Sequence, residues 1–188
     1  MTGFTVHTTQ SAPAQSRPLL EGIGRTFGFV PNLFAVFAES PAALGGALAI
    51  FEAFSKSSLS KTEQQLVMLA VSEANDCGYC MAAHSTIAKR VVRVDPALVD
   101  AVRHRQPLAD SKLDALVSFT RRIVEQRGIV TEAELAAFLE AGYTRAQVVE
   151  VLLGVGMKIF NNCVDHVAHV PLNDQFKGEA WLPKRKAA

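Results

Sequence analysis

The fold of this chain is decided by residues 59–90, which read "LSKTEQQLVMLAVSEANDCGYCMAAHSTIAKR". Ser60 and Glu63 have the S-x-x-E spacing of a capping box, in which each side chain bonds the other residue's backbone at a helix start. The apolar residues that follow predict a buried helix. Asp76 is predicted to cap a second helix, "CGYCMAAHSTIAKR". The stretch therefore predicts two successive helices, the second of which carries two cysteines.

The same start signals recur along the chain and predict about seven or eight helices with short connections, with no convincing strand. They fall at Ser40-Pro41, Asp95-Pro96, Asp110, Thr131 with Glu134, and Thr144 with Gln147. This pattern predicts an all-α fold. Residues 1–16 are polar and are predicted to be extended, 17–182 to form the helical domain, and 183–188 to be a solvated basic tail.

Composition narrows the classes of function. The chain has 188 residues, of which 49% are hydrophobic, and a net charge of +1. It can bury a core of normal size, and its charge gives no reason to expect a nucleic-acid partner. A secretory signal pattern and a run of about 18 apolar residues are both lacking, so neither secretion nor a membrane span is expected. The three cysteines do not form a secreted disulfide framework, and a cytoplasmic protein is predicted.

Cys77, Cys80 and His84 fall on one stripe of the predicted second helix, at spacings of three and four residues. Backbone N–H groups and the helix dipole at the helix start favour a thiolate at Cys77. The imidazole of His84 can accept the proton of Cys80, and the second thiol can close a disulfide. The cluster therefore predicts a redox-active site.

Other interpretations of the cysteines remain open. Buried cysteines often serve only as small apolar residues, which is the preferred interpretation of Cys163. Zinc is a second alternative, with three ligands on one helix stripe and a fourth from Cys163, His166 or His169, although this crowds tetrahedral geometry. Covalent haem attachment is excluded, since Met81 occupies the place of the histidine in C-x-x-C-H.

One internal similarity relates the first motif to the end of the chain. The segment "NDCGYCMA" at 75–82 aligns with "NNCVDHVA" at 161–168, so that Cys77 matches Cys163 and Cys80 matches His166. This alignment predicts a duplicated helix pair and brings His166 near the redox site, while the alternative interpretation of His166 is a histidine that interacts with the dipole at the helix C-terminus. His169 is interpreted as a residue of the helix C-terminus.

The segment from Leu59 to Arg90, with its capped helix and N-x-C-x-x-C-x-x-x-H motif, resembles the core of the alkylhydroperoxidase D-like, carboxymuconolactone decarboxylase superfamily. The later "LEAGYTRAQVVEVLLGVGMKIFNN" resembles the second helical pair of that superfamily, and "NNCVDHVAHVPLNDQF" resembles its peroxidase-related branch. The resemblance covers roughly residues 20 to 181. It implies an all-α fold, homo-oligomers such as trimers or hexamers, and thiol-dependent reduction of hydroperoxides.

The resemblance also assigns roles by motif position. It implies that Cys80 attacks the peroxide, that Cys77 is its disulfide partner, and that His84 relays the proton. The glutamate that completes this relay in well-described members is replaced by Gln65, which cannot pass on a proton as a carboxylate can. Supporting roles are then considered for Glu63, Glu73, Tyr79 and His166.

Together these inferences predict a thiol peroxidase or disulfide oxidoreductase that uses neither a cofactor nor a metal. Its expected partners are a small hydroperoxide, an external dithiol of protein or lipoyl type, and further copies of the chain. The alternatives are a non-catalytic helical oligomer that binds a metal or a partner, and a decarboxylase-like lyase. The lyase is disfavoured because the family's decarboxylase branch lacks the two cysteines.

Overall fold

The computed structural model of this protein describes residues 3–182, which form nine α-helices and contain no β-strand. The predicted all-α fold is confirmed. The helices are α1 (Arg17–Phe27), α2 (Asn32–Phe37), α3 (Pro41–Ser55), α4 (Lys61–Ala74), α5 (Gly78–Ile87), α6 (Pro96–Arg103), α7 (Ser111–Glu125), α8 (Glu132–Glu140) and α9 (Arg145–Ala168). A π-helical segment, Ala88–Val92, continues α5, and a 3-10 helix spans Asp174–Glu179.

Most of the predicted helix starts are confirmed. In α3, α4, α6, α7, α8 and α9 the side chain of the N-cap residue accepts a backbone N–H of the first turn. The N-cap residues are, in order, Ser40, Ser60, Asp95, Asp110, Thr131 and Thr144. In α4, α8 and α9 the reciprocal bond of the capping box is also present. These starts can be predicted because each depends on partners no more than three residues apart.

The predicted cap of α5 is wrong. Asp76 has a left-handed backbone with φ of 54°, and it ends α4 instead of beginning α5. The N–H of Cys77 donates to the carbonyl of Ser72 at 2.9 Å, which is the hydrogen bond of a Schellman motif at a helix C-terminus. The N-cap of α5 is Cys77 itself, whose sulfur accepts the N–H of Cys80 at 3.4 Å.

The N-terminal segment is not extended throughout. Residues 9–16 form turns, because the Thr8 hydroxyl accepts the N–H of Ser11 and the carbonyl of Thr8 accepts the N–H of Ala12. Ala12 and Ser16 are buried against the helical domain, and the Ser16 hydroxyl donates to the carbonyl of Ala38. The predicted basic tail, 183–188, lies outside the described residues.

Helix α4 lies at the centre of the domain and is buried on every side from Glu63 to Glu73. It contacts α5, α6, α7 and α9. One face packs with α7, α8 and α9 around the stacked rings of Phe119, Phe138 and Tyr143, and the other packs with α6 and α7. A third cluster joins α1, α2, α3 and α5. This arrangement holds the start of α5 in the interior.

Helix α9 crosses the whole domain and approaches α3 closely. At Gly154 a Cβ atom would come within 2.6 Å of the ring of the fully buried Phe54, so a side chain at that position would displace the ring. The segment 161–168, which aligns with 75–82, continues α9 without a break. In the segment 75–82 the left-handed backbone of Asp76 interrupts the helix, whereas 161–168 is helical throughout. The two aligned segments therefore have different backbone conformations.

By length and composition, Arg145–Ala168 is the one helix of the described part of the chain that is apolar enough to cross a membrane. In its most apolar window 39% of the residues are buried inside the domain. A core helix of a soluble protein has the same composition, so this helix is weak support for a membrane span.

Candidate active site

The two cysteines of the motif lie at the buried start of α5. Cys77 and Cys80 have no accessible surface, and neither forms a disulfide. The helix start presents backbone N–H groups at this point, and one of them, from Cys80, is bonded to the sulfur of Cys77. Both thiols are therefore held in the interior in the reduced state, within reach of each other's sulfur.

A lysine from a distant part of the chain completes the surroundings of Cys80. Lys158 on α9 is only 2% exposed, and its positive charge acts on the sulfur of Cys80. Burial alone raises the pKa of the Cys80 thiol, but the adjacent Cys77 thiol and the Lys158 charge lower it to about 7. A substantial fraction of Cys80 is therefore a thiolate at neutral pH, the form that acts as a nucleophile.

Cys77 is held in the opposite protonation state. Its thiol donates a hydrogen bond to Oδ2 of Asp165, at 3.2 Å. Burial raises the pKa of Cys77, and the neighbouring Cys80 thiolate and the Asp165 carboxylate raise it further. One helix, α9, thus places a cation beside one thiol and an anion beside the other.

His84 lies on the Cys80 side and contacts Gln65 as the sequence suggests. Its Nδ1 is 3.1 Å from Oε1 of Gln65, so Nδ1 carries the proton and Nε2 is an acceptor. Burial and the Lys158 charge lower the pKa of His84 well below its ordinary value. The imidazole is neutral at pH 7, and the lowered pKa of Cys80 comes from Cys77 and Lys158.

The two glutamates considered for the relay have other partners. Glu63 belongs to the capping box of α4 and accepts the hydroxyl of Tyr143 at 2.9 Å. Glu73 forms ion pairs with Arg105 at 2.8 Å and Arg121 at 3.2 Å. Both carboxylates stabilise helix contacts, and Gln65 is the residue that meets His84.

Tyr79 lies between the two cysteines in the sequence, and its side chain is fixed by a small polar network. Its hydroxyl donates to Oδ1 of Asn173 at 2.7 Å and accepts the N–H of Leu33 at 3.2 Å. Its ring meets Phe176 edge to face, with centroids 6.0 Å apart. Burial raises the pKa of Tyr79, so this hydroxyl remains protonated and acts as a rigid wall of the site.

Two cavities adjoin the site from opposite sides. A partly enclosed cavity of about 110 Å³, the Cys80 cavity, is lined by Cys80, Lys158, Gln65, His84 and Asn161, and by the apolar side chains of Phe27, Phe34, Phe51, Phe176, Met68 and Met157. An open groove of about 780 Å³ lies on the Cys77 side and is lined by Asp165, His166, His169 and Trp181 among others. Tyr79 borders both.

His166 lies near the redox site, as the internal similarity predicts. Its ring, Asp165 and Cys77 bring donor atoms within 4.8 Å of one another, which makes them the possible metal ligands here. The Cys77 thiol donates its hydrogen to Asp165, so a zinc ion bound at this cluster would displace that proton and hold Cys77 as a thiolate. The predicted zinc set of Cys77, Cys80 and His84 is not gathered, because His84 is bonded to Gln65 on the Cys80 side.

Two remaining predictions meet different outcomes. Cys163 is exposed on α9, so its interpretation as a buried apolar residue is wrong. His169 ends α9 with a left-handed backbone, as its interpretation as a C-terminal residue implies.

Sequence reasoning missed Lys158 and Asp165. The only local signal was a lysine within "VVEVLLGVGMKIF", where a charge interrupts a long apolar pattern. Such a residue is either a solvated edge of the helix or a buried charge with a function, and the linear sequence does not distinguish these. The two positions lie 78 and 88 residues after Cys80 and Cys77, the thiols that they contact.

Comparisons with known proteins relate part of the sequence to a known family and the fold to solved structures. The sequence model of the carboxymuconolactone decarboxylase family matches residues 35–121, which include both cysteines and His84. No curated protein matches the sequence.

Several solved structures share the fold. An uncharacterized peroxidase-related protein from Ralstonia eutropha JMP134, described as an alkylhydroperoxidase AhpD core, superposes with a TM-score of 0.83 at 24% identity, over 96% of this chain and 97% of that one. A peroxidase-related protein from Silicibacter sp. TM1040 has a TM-score of 0.78 at 21% identity, over 94% and 93%. The debrominase Bmp8 has a TM-score of 0.80 at 18% identity, over 95% and 96%. A cysteine-to-alanine variant of that debrominase is known in complex with 2,3,4-tribromopyrrole.

Proposed function

We propose that this chain, whose residues 35–121 match the sequence model of the carboxymuconolactone decarboxylase family, is a thiol-dependent peroxidase that reduces small hydroperoxides with Cys80 and Cys77. The observation that carries the proposal is the opposite charge beside the two thiols. Lys158 favours a thiolate at Cys80, and Asp165 keeps the proton on Cys77. Such a pair provides one nucleophile and one resolving thiol at neutral pH.

In the first step the Cys80 thiolate attacks the distal oxygen of the hydroperoxide. The S–O bond forms as the O–O bond breaks, which leaves a sulfenic acid on Cys80 and an alkoxide. The Lys158 ammonium is the nearest cation to Cys80 and donates the proton that converts the alkoxide to an alcohol. Water then returns a proton to Lys158. The substrate is reduced by two electrons, and Cys80 is oxidised by two.

Two hydrogen-bond acceptors that line the Cys80 cavity orient the substrate. The neutral ring of His84 presents Nε2, because its Nδ1–H is bonded to Gln65. Asn161 also lines the cavity, and its buried Oδ1 has no hydrogen-bond partner among residues 3–182. An O–H of a hydroperoxide satisfies either acceptor. In this mechanism Gln65 fixes the tautomer of His84 and passes on no proton.

The cavity also restricts the size and polarity of the substrate. Its volume is about 110 Å³, and aromatic and methionine side chains form much of its wall. A compact organic hydroperoxide with an apolar group fits this wall better than hydrogen peroxide, because it buries apolar surface on binding.

In the second step the Cys77 sulfur attacks the Cys80 sulfenic acid, and water leaves as the Cys77–Cys80 disulfide forms. An external dithiol then reduces this disulfide by thiol–disulfide exchange. The overall reaction converts a hydroperoxide and a dithiol into an alcohol, water and the oxidised dithiol. Cys80 is the better leaving group in the exchange, because its pKa is the lower of the two.

The proposal is tested on the reduced protein by rapid mixing with cumene hydroperoxide and, separately, with hydrogen peroxide. Loss of two thiols per chain and formation of one alcohol per peroxide are expected. Cys80→Ser should abolish the reaction, and Cys77→Ser should stop it at a sulfenic acid that dimedone traps. Cys163→Ser, which removes an exposed thiol outside the site, is the matched control and should react like the native protein.

Equal rates in the native protein and in Cys80→Ser would contradict the proposal. The purified protein should also be assayed for bound metal. A stoichiometric metal with no loss of thiols on oxidation would favour the alternative of a non-catalytic metal-binding oligomer.

Reductive debromination is a second candidate function. It is favoured by the aromatic side chains that line the Cys80 cavity and by the fold shared with the debrominase Bmp8. Here the Cys80 thiolate would take bromine from an aromatic carbon, a proton would replace it on the ring, and Cys77 would expel bromide to form the same disulfide. Bromide release from 2,3,4-tribromopyrrole, measured beside peroxide turnover, distinguishes the two reactions.

A further inference from the structure

Lys158 and Asp165 are seven residues apart on α9, so two helical turns separate them on one face. Asp165 accepts the hydrogen of the Cys77 thiol, and the charge of Lys158 acts on the Cys80 thiol of the same motif. The mechanism above uses Lys158 as the charge beside the nucleophile. It leaves open where the proton of Cys77 goes when that buried thiol closes the disulfide.

We propose that Asp165 is the catalytic base of the disulfide-forming step, which takes the proton of Cys77 and returns it when the disulfide is reduced. The inference rests on the proposed function and adds a residue to its second step. It follows from a direct contact, since the Cys77 thiol already points its hydrogen at Oδ2 of Asp165 over 3.2 Å. General bases act at this hydrogen-bonding distance.

The surroundings of Cys77 favour Asp165 over other acceptors. Cys77 is fully buried, so bulk water does not reach its sulfur. His84 is bonded to Gln65 on the Cys80 side. His166 is close to Cys77, but it is the Asp165 oxygen that accepts the thiol hydrogen. Asp165 also lines the open groove, which gives a proton received from Cys77 a route to solvent.

The proton balance of the step is complete. The Cys77 S–H bond breaks as its sulfur bonds to Cys80, and the proton moves to the Asp165 carboxylate. The S–O bond of the sulfenic acid breaks, and hydroxide leaves with a proton from the Lys158 ammonium as water. Asp165 then releases its proton into the groove, and solvent reprotonates Lys158. On reduction, the external dithiol supplies two electrons and releases two protons. Asp165 takes up one of these protons through the groove and passes it to Cys77, which leaves as a thiolate.

The experiment separates the two chemical steps in a single turnover with one equivalent of cumene hydroperoxide. Sulfenic acid formation is measured by dimedone trapping, and disulfide formation is measured by acid quench and mass spectrometry. In Asp165→Asn we expect formation of the sulfenic acid to change by less than about threefold and disulfide closure to slow by about 100-fold, the usual range for loss of a general base. Asp76→Asn is the matched control, since it removes a carboxylate from the same groove at a left-handed position that asparagine tolerates.

Chemical rescue distinguishes a base from a merely structural residue. The groove beside Asp165 is large enough to admit formate, so formate should restore closure in Asp165→Ala, while chloride at equal ionic strength should not. Native-like closure in Asp165→Asn, or equal slowing in Asp76→Asn, would overturn the role of Asp165. Failure of the native protein to form any sulfenic acid would instead overturn the proposed function.

Discussion

At the scale of single residues, the most consequential position is Lys158. A buried ammonium loses hydration, which destabilises the folded state unless a partner compensates. Here the partner is the thiolate of Cys80. The attraction between the two charges offsets the loss of hydration of the ammonium group and lowers the pKa of Cys80. The same charge disfavours a proton on His84. One lysine therefore sets the protonation of both the nucleophile and the neighbouring imidazole.

This arrangement predicts the pH dependence of Cys80 alkylation. With a pKa of about 7, the alkylation rate should fall tenfold per unit of pH below 7 and level off above it, because only the thiolate reacts. Lys158→Met keeps an unbranched side chain and removes the charge. It should raise the midpoint by roughly one unit, which corresponds to ~1.4 kcal/mol, and slow alkylation at pH 7 by about tenfold. The measurement is the iodoacetamide rate at Cys80, resolved from the other cysteines by tandem mass spectrometry.

Lys177→Met is the matched control, because Lys177 is an exposed lysine paired with Asp174. It should leave the midpoint unchanged. If the Lys158→Met midpoint stays near 7, the lysine charge does not stabilise the thiolate.

At the scale of elements, the position of Lys158 depends on how closely α9 packs on its neighbours. Gly154 lies one turn before Lys158 and lets the buried ring of Phe54 on α3 approach the α9 backbone. The core is close-packed there, so an added methyl group cannot be absorbed by a flexible side chain.

Gly154→Ala should therefore lower the free energy of unfolding by about 1–3 kcal/mol, the usual cost of overpacking. The measurement is denaturant unfolding at fixed protein concentration. Cys80 alkylation in the same variant reports whether a shift of α9 moves Lys158 away from the thiol.

Gly46→Ala provides the control on an equivalent helix interior. Gly46 is exposed on α3, and a Cβ there meets nothing within 4 Å. Alanine should stabilise the protein by about 0.5–1 kcal/mol, because it restricts the unfolded chain and favours the helix. Equal effects at the two glycines would show that the contact with Phe54 is not limiting.

At the scale of the whole molecule, α9 exposes an apolar stripe along its length. Val149, Leu152, Gly156, Phe160, Cys163 and Val167 are all exposed and recur at intervals of three or four residues. This is the spacing of a helix seam that packs against another helix. We propose that a second copy of the chain packs against this stripe, which would form the homo-oligomer that the family resemblance implies.

We expect the protein to run well above 20 kDa in detergent-free buffer, as a trimer or hexamer, by light scattering. The double variant Val149→Glu with Val167→Glu should dissociate at micromolar concentration, because it buries charges in the seam. These valines are 65% and 68% exposed in the single chain.

The matched control places the same substitutions at Val91 and Ile129, which are 71% and 79% exposed but lie outside α9. This control should keep the native mass. A native protein that scatters as a monomer would contradict the oligomer, and dissociation of the control alone would move the interface away from α9.

The sequence by itself determined the features that depend on near neighbours. Six helix starts were predictable because a capping side chain and its N–H partner lie within three residues. The placement of Cys80 and His84 beside one cavity was predictable because helical spacing fixes which residues share a face of α5. These features depend on residues that are close together in the sequence.

Only the tertiary structure decided which charges meet the thiols. Lys158 and Asp165 reach Cys80 and Cys77 because α9 packs against the start of α5, and no local rule encodes that contact. The partners of Glu63 and Glu73 were likewise set by Tyr143 and two distant arginines. The physical reason is that a pKa responds to burial and to every charge within a few ångströms in space, whatever its separation along the chain.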